Sequence, residues 1–328
     1  PSPATARQAH AVCRPALMLA NAEHTCATRA LTWPLQPYDT ERFSAEERMI
    51  SDFWDRLVFP YEVFPMTGVI GWGVNPYLQY HKHDGRWYSD YYRISGLVEY
   101  GMRRHVWNLF ARSMDREYYE YATRFNQHAA DWEMHHWDAG DRYVGGLAAQ
   151  RNIHMPFPWG ERSNSLSNGV SGVDVVNFLQ EYYMTGSERA QEAALDYGDS
   201  LLAHWDLPTA RKSSSPFLIL RLVTGVYAHT RDERLRVMAH DLAHLIIDMD
   251  SPNGLTNEMP YGSLYKVDRN ASALYDYWWA TGDDLAKQAF LKALDFEYRF
   301  NRIPTPIVYQ NGKAYLFTLA YEMTGREE

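Results

Sequence analysis

Apolar positions recur at helical spacing along most of the chain after residue 90. In residues 91–112 they fall every three or four positions, on one face of a helix: Ile94, Leu97, Val98, Met102, Val106, Leu109 and Phe110. A second helix is predicted at 115–134. The same spacing predicts further helices at 171–184, 187–205, 215–229, 232–249, 270–280, 283–300 and 313–323.

The first 90 residues show weaker periodicity and contain several prolines, so the pattern predicts an irregular lead-in. One helix is predicted at 46–59 and a short one around 16–22. Residues 64–88 are rich in glycine and aromatic residues, which indicates a loop with possible short strands. We expect this lead-in to pack on the helical part of the chain.

A turn motif recurs between pairs of these helices. It reads YYMTGSERAQEAA at 182–194, YAHTRDERLRVMA at 227–239, YWWATGDDLAKQA at 277–289 and YEMTG at 321–325, with the threonines spaced by 45, 51 and 43 residues. The sequence ARSMD at 111–115 is a degenerate earlier copy. Glycine supplies a left-handed helix C-cap, and the Ser or Asp after it caps the next helix. Each unit is therefore a helical hairpin, and the period indicates that the hairpins stack.

Long connections of variable length separate the hairpins and carry the unusual residues. This arrangement is typical of a toroid, in which the connections line a central cleft. We therefore predict an all-α fold: an α/α toroid over 91–328 that forms an incomplete ring, with the irregular lead-in at 1–90. Because the chain ends just after a turn motif, we expect a closing helix to be missing and the sequence to be part of a longer protein.

The longest connection, HHWDAGDRYVGGLAAQRNIHMPFPWG at 135–160, mixes histidines, arginines and aromatic residues. Two further connections have a similar composition, 75–93 and 251–270. In a toroid all three would converge on one side, where loops on a rigid scaffold commonly carry function. The alternative is a solvated loop whose first histidines, His135 and His136, merely end a helix.

Composition narrows the possible partners. Aromatic residues make up 15% of the chain, with 24 Tyr and 11 Trp, which suits either an ordinary core or a cleft where rings stack on sugars. The net charge is −9 and no basic run occurs, so nucleic acid is not expected as a partner. No apolar run approaches the ~20 residues that span a bilayer, so no membrane partner is expected. The two cysteines, Cys13 and Cys26, could form a disulfide or remain thiols.

Metal and nucleophile motifs have little support. His240 and His244 lie on one face of a helix at a spacing that zinc uses, but Asp241 stands where a zinc protease has glutamate. His81, His83 and Asp84 could join His135 and His136 in a second metal site. Neither a G-x-S-x-G elbow nor a phosphate-binding loop occurs. No cofactor is expected, and a divalent metal is the less favoured alternative.

Two reactions on sugars remain. Hydrolysis needs two carboxylates beside the glycosidic bond, and the candidates are Asp138, Asp141, Asp174 and Glu258. β-Elimination from a uronic acid needs a base, a group that neutralises the carboxylate and a proton donor. The connections contain more His, Tyr, Arg and Asn than paired acids, which favours elimination.

The turn motifs and the aromatic connection at 135–160 resemble the α/α-toroid domains of polysaccharide lyases, most closely the exo-rhamnogalacturonan lyase family and its bacterial relatives. The resemblance covers about residues 90–328. It implies extracellular or periplasmic breakdown of pectin or another acidic polysaccharide. In that family β-rich domains precede the toroid, and the present sequence has none upstream, so we expect such domains in a longer chain.

Residue types and positions in the connections suggest roles by this resemblance. His154 would act as base or acid, Tyr143 or Tyr261 as proton donor, and Arg151 with Asn152 would bind the uronate carboxylate. The remaining candidates are His136 for catalysis and, for substrate binding, Trp159, which would stack on a sugar ring, with His81, Arg269 and Glu258. A glycoside hydrolase and a non-catalytic scaffold that binds glycan or protein are the alternatives.

Overall fold

The computed structural model describes residues 20–28, 31, 33–63, 77–81, 86–90, 102–134, 136, 144–146, 176–204, 216–248, 263–300 and 314–325. The fold is all-α. Its helices are α1 (Ala22–Thr28), α2 (Ser44–Val63), α3 (Met102–Ser113), α4 (Arg116–His128), α5 (Val176–Thr185), α6 (Glu188–His204), α7 (Pro216–Thr230), α8 (Glu233–Asp248), α9 (Ser263–Thr281), α10 (Asp284–Phe300) and α11 (Ala314–Thr324). One antiparallel hairpin, β1 (Tyr77–His81) and β2 (Arg86–Asp90), accompanies them.

Helices α3 to α10 form four consecutive hairpins, and α11 begins a fifth unit. The first helix of each hairpin packs against the first helix of the next, so that α3, α5, α7, α9 and α11 form one layer in chain order. Of the second helices, α6 contacts α8 and α8 contacts α10. We call these two sets the first-helix layer and the second-helix layer. The predicted stacking of helical hairpins is confirmed.

All five first helices end in the same backbone turn. The residue after the final Ser or Thr has positive φ in each copy: Met114, Gly186, Arg231, Gly282 and Gly325. Its amide donates to the carbonyl four residues earlier, for example Gly186 to Tyr182 at 2.7 Å and Gly282 to Trp278 at 2.6 Å. This is the left-handed C-cap that the motif predicts. The degenerate copy at 111–115 adopts it with methionine in place of glycine.

A recurring hydroxyl and the capping residue two positions later connect the two helices of each hairpin. The Thr281 hydroxyl donates to the carbonyl of Tyr277 at 2.7 Å and accepts the amide of Asp283 at 3.3 Å. Asp283 then accepts the amide of Ala286 at 3.0 Å and so caps α10. Asp115, Ser187 and Asp232 cap their helices in the same way. Each cap typically stabilises its helix by about 1 kcal/mol.

The main apolar core lies between the two layers of α5 to α11. Its largest members are buried rings from both layers: Phe178, Tyr197, Phe217, Tyr275, Tyr277 and Phe290. Fully burying an apolar side chain stabilises a fold by roughly 1.5–3 kcal/mol. The hairpins are therefore held together by burial across the layers, with the turns fixing their ends.

A second core attaches the lead-in to the first hairpin. Trp54 and Val58 of α2 pack with Trp107 and Phe125 of α3 and α4. The indole N–H of Trp54 donates to Glu117 at 3.0 Å. Glu47 of α2 also forms a hydrogen-bonded ion pair with Arg112 of α3, and the Arg112 side chain donates to the carbonyl of Gln36 at 2.7 Å.

Two predicted boundaries are wrong. The short helix predicted around 16–22 lies mostly outside the described residues; residues 20 and 21 are not helical, and a helix begins at Ala22. The predicted helix 115–134 is α-helical only to His128 and widens into a π-helical turn at Ala129–Glu133. Helix α9 begins at Ser263 instead of 270, because no Gly or Pro interrupts the chain after Gly262. The segment from 263, predicted as loop, is therefore helix.

Candidate functional site

Most of the catalytic and substrate-binding candidates predicted from the sequence lie outside the described residues: Tyr143, Arg151, Asn152, His154, Trp159, Glu258 and Tyr261. The structure describes the backbone at three others. His81 ends strand β1 opposite Arg86, and His136 is exposed. Arg269 lies within α9 and not in a connection, which corrects its predicted setting.

The chain enters the longest connection through the π-helical turn. The amide of Met134 donates to the carbonyl of Ala129 at 3.1 Å, five residues earlier. Met134 is buried in the main core, so the turn ends at a packed position. Such turns are rare and occur frequently at functional sites. The chain therefore enters the connection from a specific backbone geometry.

Gly145 attaches the middle of the same connection to the second-helix layer. Its φ is +78°, and a Cβ atom at this position would lie 2.3 Å from the backbone oxygen of Asp196 in α6. Only glycine permits this approach, since the backbone oxygen of a helix cannot move aside. Two consecutive glycines, Gly145 and Gly146, favour a tight turn, and the structure adds close packing of Gly145 against α6.

A charged cluster lies within the first-helix layer. Its members are Trp33 from the lead-in, Arg104 of α3, Arg221 of α7 and Asp276 of α9, and we call it the first-helix cluster. The Asp276 carboxylate lies 3.6 Å from Nη1 of Arg104 and 3.2 Å from Nε of Arg221. It also accepts the indole N–H of Trp33 at 2.8 Å. Residues distant in the sequence thus meet on one carboxylate.

The two guanidinium groups also contact the indole ring of Trp33. The Arg104 Cζ lies 4.0 Å from the ring centroid and the Arg221 Cζ lies 5.3 Å from it. Such cation–π contacts contribute roughly 0.5–2 kcal/mol each, most where water is excluded. Arg104 is 1% exposed, so its charge depends on these neighbours. The cluster therefore anchors the lead-in to three first helices.

Part of the cluster is accessible. Trp33 and Arg221 are partly exposed, and the exposed imidazole of His105 has its ring centroid 6.2 Å from that of Trp33. An indole, a guanidinium and an imidazole are the groups that stack on a sugar ring, bind a carboxylate and transfer a proton. Two arginines with one aspartate also provide a local positive charge that suits an acidic ligand.

Further polar side chains line the buried faces of the first helices. Asn108 and Gln180 share the position of Asp276 relative to the turn, and the amide of Gln180 donates to Asn108 at 3.1 Å. Ser272 shares the position of Arg104 and Arg221. Buried polar groups are generally hydrogen-bonded or paired. These polar side chains at matching positions therefore distinguish the first-helix layer from the apolar core.

A buried carboxyl lies between α4 and α5. Glu181 accepts a hydrogen bond from the amide of Asn126 at 2.7 Å, and Asn126 also donates to the carbonyl of Asn177 at 2.9 Å. Burial raises the pKa of Glu181 to about 7, although hydrogen bonds from Asn126 and Ser187 lower it in part. Glu181 is therefore a carboxyl that changes charge near neutral pH, close to the turn end of the layer.

Side chains that could hold a metal come together on the second-helix layer. His240, His244 and Asp283 each offer one ligand atom within 4.8 Å of the others. The sequence identified the histidine pair, whereas Asp283 joins it only through packing. The alternative set that includes His83, Asp84 and His135 lies outside the described residues.

The first-helix cluster was not predicted from the sequence, because the candidate functional residues were expected in the connections. A signal was present, since Arg221 interrupts the apolar run PFLILRLVTGVY and Asp276 interrupts ASALYDYWW. A charge within an otherwise apolar helix requires a partner when that helix is buried. The sequence gives no comparable sign that Trp33 belongs to the cluster, because its contact residues lie far from it along the chain.

Comparisons with known proteins add no family or fold assignment: the chain matches no protein-family model, no curated protein and no solved structure. Among the described residues, every helix is too short or too polar to cross a membrane.

Proposed function

We propose that this chain is the α/α-toroid domain of a polysaccharide lyase that cleaves an acidic, uronate-containing polysaccharide such as pectin or rhamnogalacturonan. The proposal includes extracellular or periplasmic action and β-rich domains upstream in a longer chain. It keeps the catalytic residues suggested by the sequence, His154 with Tyr143 or Tyr261 and His136. Arg151, Asn152, Trp159, His81, Arg269 and Glu258 would bind the substrate.

The observation that best supports an acidic ligand is the first-helix cluster. Arg104 and Arg221 bring two positive charges to one aspartate, both guanidinium groups contact the Trp33 ring, and His105 lies beside that ring. Buried guanidinium groups act over a longer range than exposed ones, because little water screens them. A uronate carboxylate near Arg221 and Trp33 would therefore be attracted, and its ring could stack on the indole.

The proposed reaction uses a base, a neutralising group and an acid. The base removes the proton on the carbon next to the uronate carboxylate, and the electrons of that C–H bond form a C=C bond. The C–O bond to the leaving sugar breaks, and the acid protonates that oxygen. Positive groups at the carboxylate stabilise the charge that develops there. His154 would be the base, Tyr143 or Tyr261 the acid, and Arg151 with Asn152 the neutralising pair.

A panel of acidic polysaccharides tests the proposal. We expect the ultraviolet absorbance of an unsaturated uronate to rise with at least one substrate, and His154→Ala to abolish the rise while the circular dichroism spectrum stays helical. His204→Ala, an exposed histidine at the end of α6, is the matched control.

The other outcomes identify the alternatives. Reducing ends without that absorbance, abolished by the double variant Asp138→Asn, Asp141→Asn and spared by His154→Ala, would indicate a glycoside hydrolase. Binding without turnover across the panel would indicate a non-catalytic scaffold. Either result would reject the lyase.

A further inference from the structure

Two histidines and one aspartate meet where α8 passes the turn between α9 and α10. His240 and His244 lie one helical turn apart on α8, and their rings stack with centroids 4.2 Å apart. Oδ2 of Asp283 lies 3.8 Å from Nε2 of His244. His244 and Asp283 are partly buried, and His240 is exposed.

The hairpin repeat does not explain the histidines. At the same positions after the turn, α6 has Leu195 and Asp199, and α10 has Leu291 and Asp295. Only α8, among the described second helices with this turn motif, therefore carries an imidazole at both positions. They are not needed for the helix, for the turn or for the apolar seam between the layers.

Asp283, in contrast, has a structural role that leaves one oxygen available. Its Oδ1 accepts the amide of Ala286 and caps α10, as the acids of other turns do. Its Oδ2 faces His244 and accepts a long hydrogen bond, 3.4 Å, from the hydroxyl of Tyr277. The cap fixes the carboxylate in place, so that Oδ2 is held beside the histidine pair.

We propose that His240, His244 and Asp283 bind a divalent cation of the zinc type. Two imidazoles and a carboxylate are a standard three-ligand set for zinc, and they also suit copper and nickel. Zinc lies about 2.0–2.2 Å from such ligands, so the ligand atoms, now within 4.8 Å of one another, must approach the ion by small side-chain rotations. The two histidines allow such rotations because the second side-chain torsion of histidine is broad.

Neighbouring groups would support this site. Nδ1 of His240 lies 3.5 Å from the Asp241 carboxylate, the kind of partner that orients a metal-bound imidazole through its other nitrogen. Asp241 also adds negative charge opposite a dication. The N-terminus of α10 carries a partial positive charge that would repel a bound cation, but this repulsion is weak at an exposed helix end.

The ion would link adjacent hairpins. Its ligands come from α8 of one hairpin and from the turn of the next. Binding to the folded state alone raises the unfolding temperature, so the ion would act as a clip between the hairpins. This inference does not depend on the proposed lyase activity.

Calorimetric titration of zinc into the chelator-treated, desalted chain tests the proposal. We expect one zinc per chain, with affinity at least tenfold weaker in His240→Gln and in His244→Gln. Asp283→Asn should also weaken zinc binding while the unfolding temperature of the metal-free protein stays unchanged, because asparagine caps helices as well as aspartate does. His204→Gln is the matched control and should bind as the parent does.

Two results would overturn the proposal. One is the absence of zinc binding at micromolar concentrations. The other is unchanged affinity in both histidine variants, which would place the zinc elsewhere in the chain. Cobalt supplies a readout independent of heat, since its visible absorption bands report few-coordinate nitrogen and oxygen ligands and should disappear in His244→Gln.

Discussion

A residue with positive φ follows each first helix, and its backbone conformation sets the direction in which the chain continues. Gly186 has φ +73°, and a Cβ atom there would contact nothing within 4 Å. Any cost of a side chain at this position is therefore conformational, about 1 kcal/mol for a residue with a Cβ atom. The motif allowed this geometry to be predicted, including for the copy at 111–115, where Met114 has φ 56°.

We expect Gly186→Ala to lower the free energy of unfolding by about 1 kcal/mol, because alanine is strained in this conformation. Gly186→Asn should cost less, since asparagine tolerates positive φ better than other residues. Urea unfolding of the three proteins measures both differences. Equal stability of the alanine variant and the parent would show that this turn does not impose the left-handed conformation in solution.

Glu181 predicts how the fold responds to pH. Burial raises its pKa to about 7 in the folded state, whereas an exposed glutamate has a pKa of about 4.3. The protonated form is therefore favoured by folding. Its contribution is fully present at low pH, falls as pH rises through this interval and is lost above about pH 7, a change of roughly 2–4 kcal/mol.

We expect Glu181→Gln to remove this dependence and to be more stable than the parent at pH 8 by roughly 2–4 kcal/mol, with a smaller difference at pH 4. Urea unfolding at both pH values provides the test. His229, whose pKa is lowered by burial, contributes with the opposite sign but is present in both proteins. Parallel stability curves for parent and variant would contradict the assignment.

At the scale of elements, the sequence predicted each of the described helices from α2 to α11, whereas long-range contacts influence where they end. The helix changes to a π-helical turn at Ala129 because Met134 packs in the main core. The local spacing of apolar residues does not show this long-range contact. Helix α9 extends back to Ser263, since no Gly or Pro interrupts the chain after Gly262, although this segment lacks regular apolar spacing.

The first-helix cluster connects the lead-in and three first helices through one carboxylate. We expect Asp276→Asn to lower the free energy of unfolding by roughly 3–5 kcal/mol, because it leaves buried Arg104 without the charge beside it. Asp52→Asn, at an exposed position of α2, should change stability by less than about 0.5 kcal/mol. Chemical denaturation gives both values, and a small loss for Asp276→Asn would show that the cluster does not hold the layer together.

The attachment of the longest connection to α6 is testable at Gly145. We expect Gly145→Ala to displace residues 144–146 from Asp196, since the new Cβ atom would meet a helix carbonyl at 2.3 Å. Hydrogen exchange of this segment should accelerate and lyase activity should fall, whereas the exchange of α3 and α9 should not change. Val144→Ala, at an exposed neighbour, is the matched control; retained protection in Gly145→Ala would refute the contact.

For the whole molecule, the sequence was sufficient to predict an all-α fold of stacked hairpins, because both the spacing and the turn motif repeat. Closure of the layers into a toroid remains a prediction. Most nominated site residues lie in connections outside the described residues, so their convergence also remains a prediction. The charges of the first-helix cluster interrupt apolar runs in the sequence, but their meeting with Trp33 could not be predicted, because Trp33 and Asp276 lie far apart along the chain.

The mass of the products tests the central proposal most directly. The chain is incubated, at a concentration well above that of any trace contaminant, with a uronate-containing polysaccharide. The masses of the released oligosaccharides are then measured by mass spectrometry, and His154→Ala serves as the blank. Elimination leaves an unsaturated sugar at each new non-reducing end, so we expect products one water lighter than hydrolysis gives, and none from the blank. Products of full hydrolytic mass, or no products from any acidic polysaccharide, would contradict the lyase.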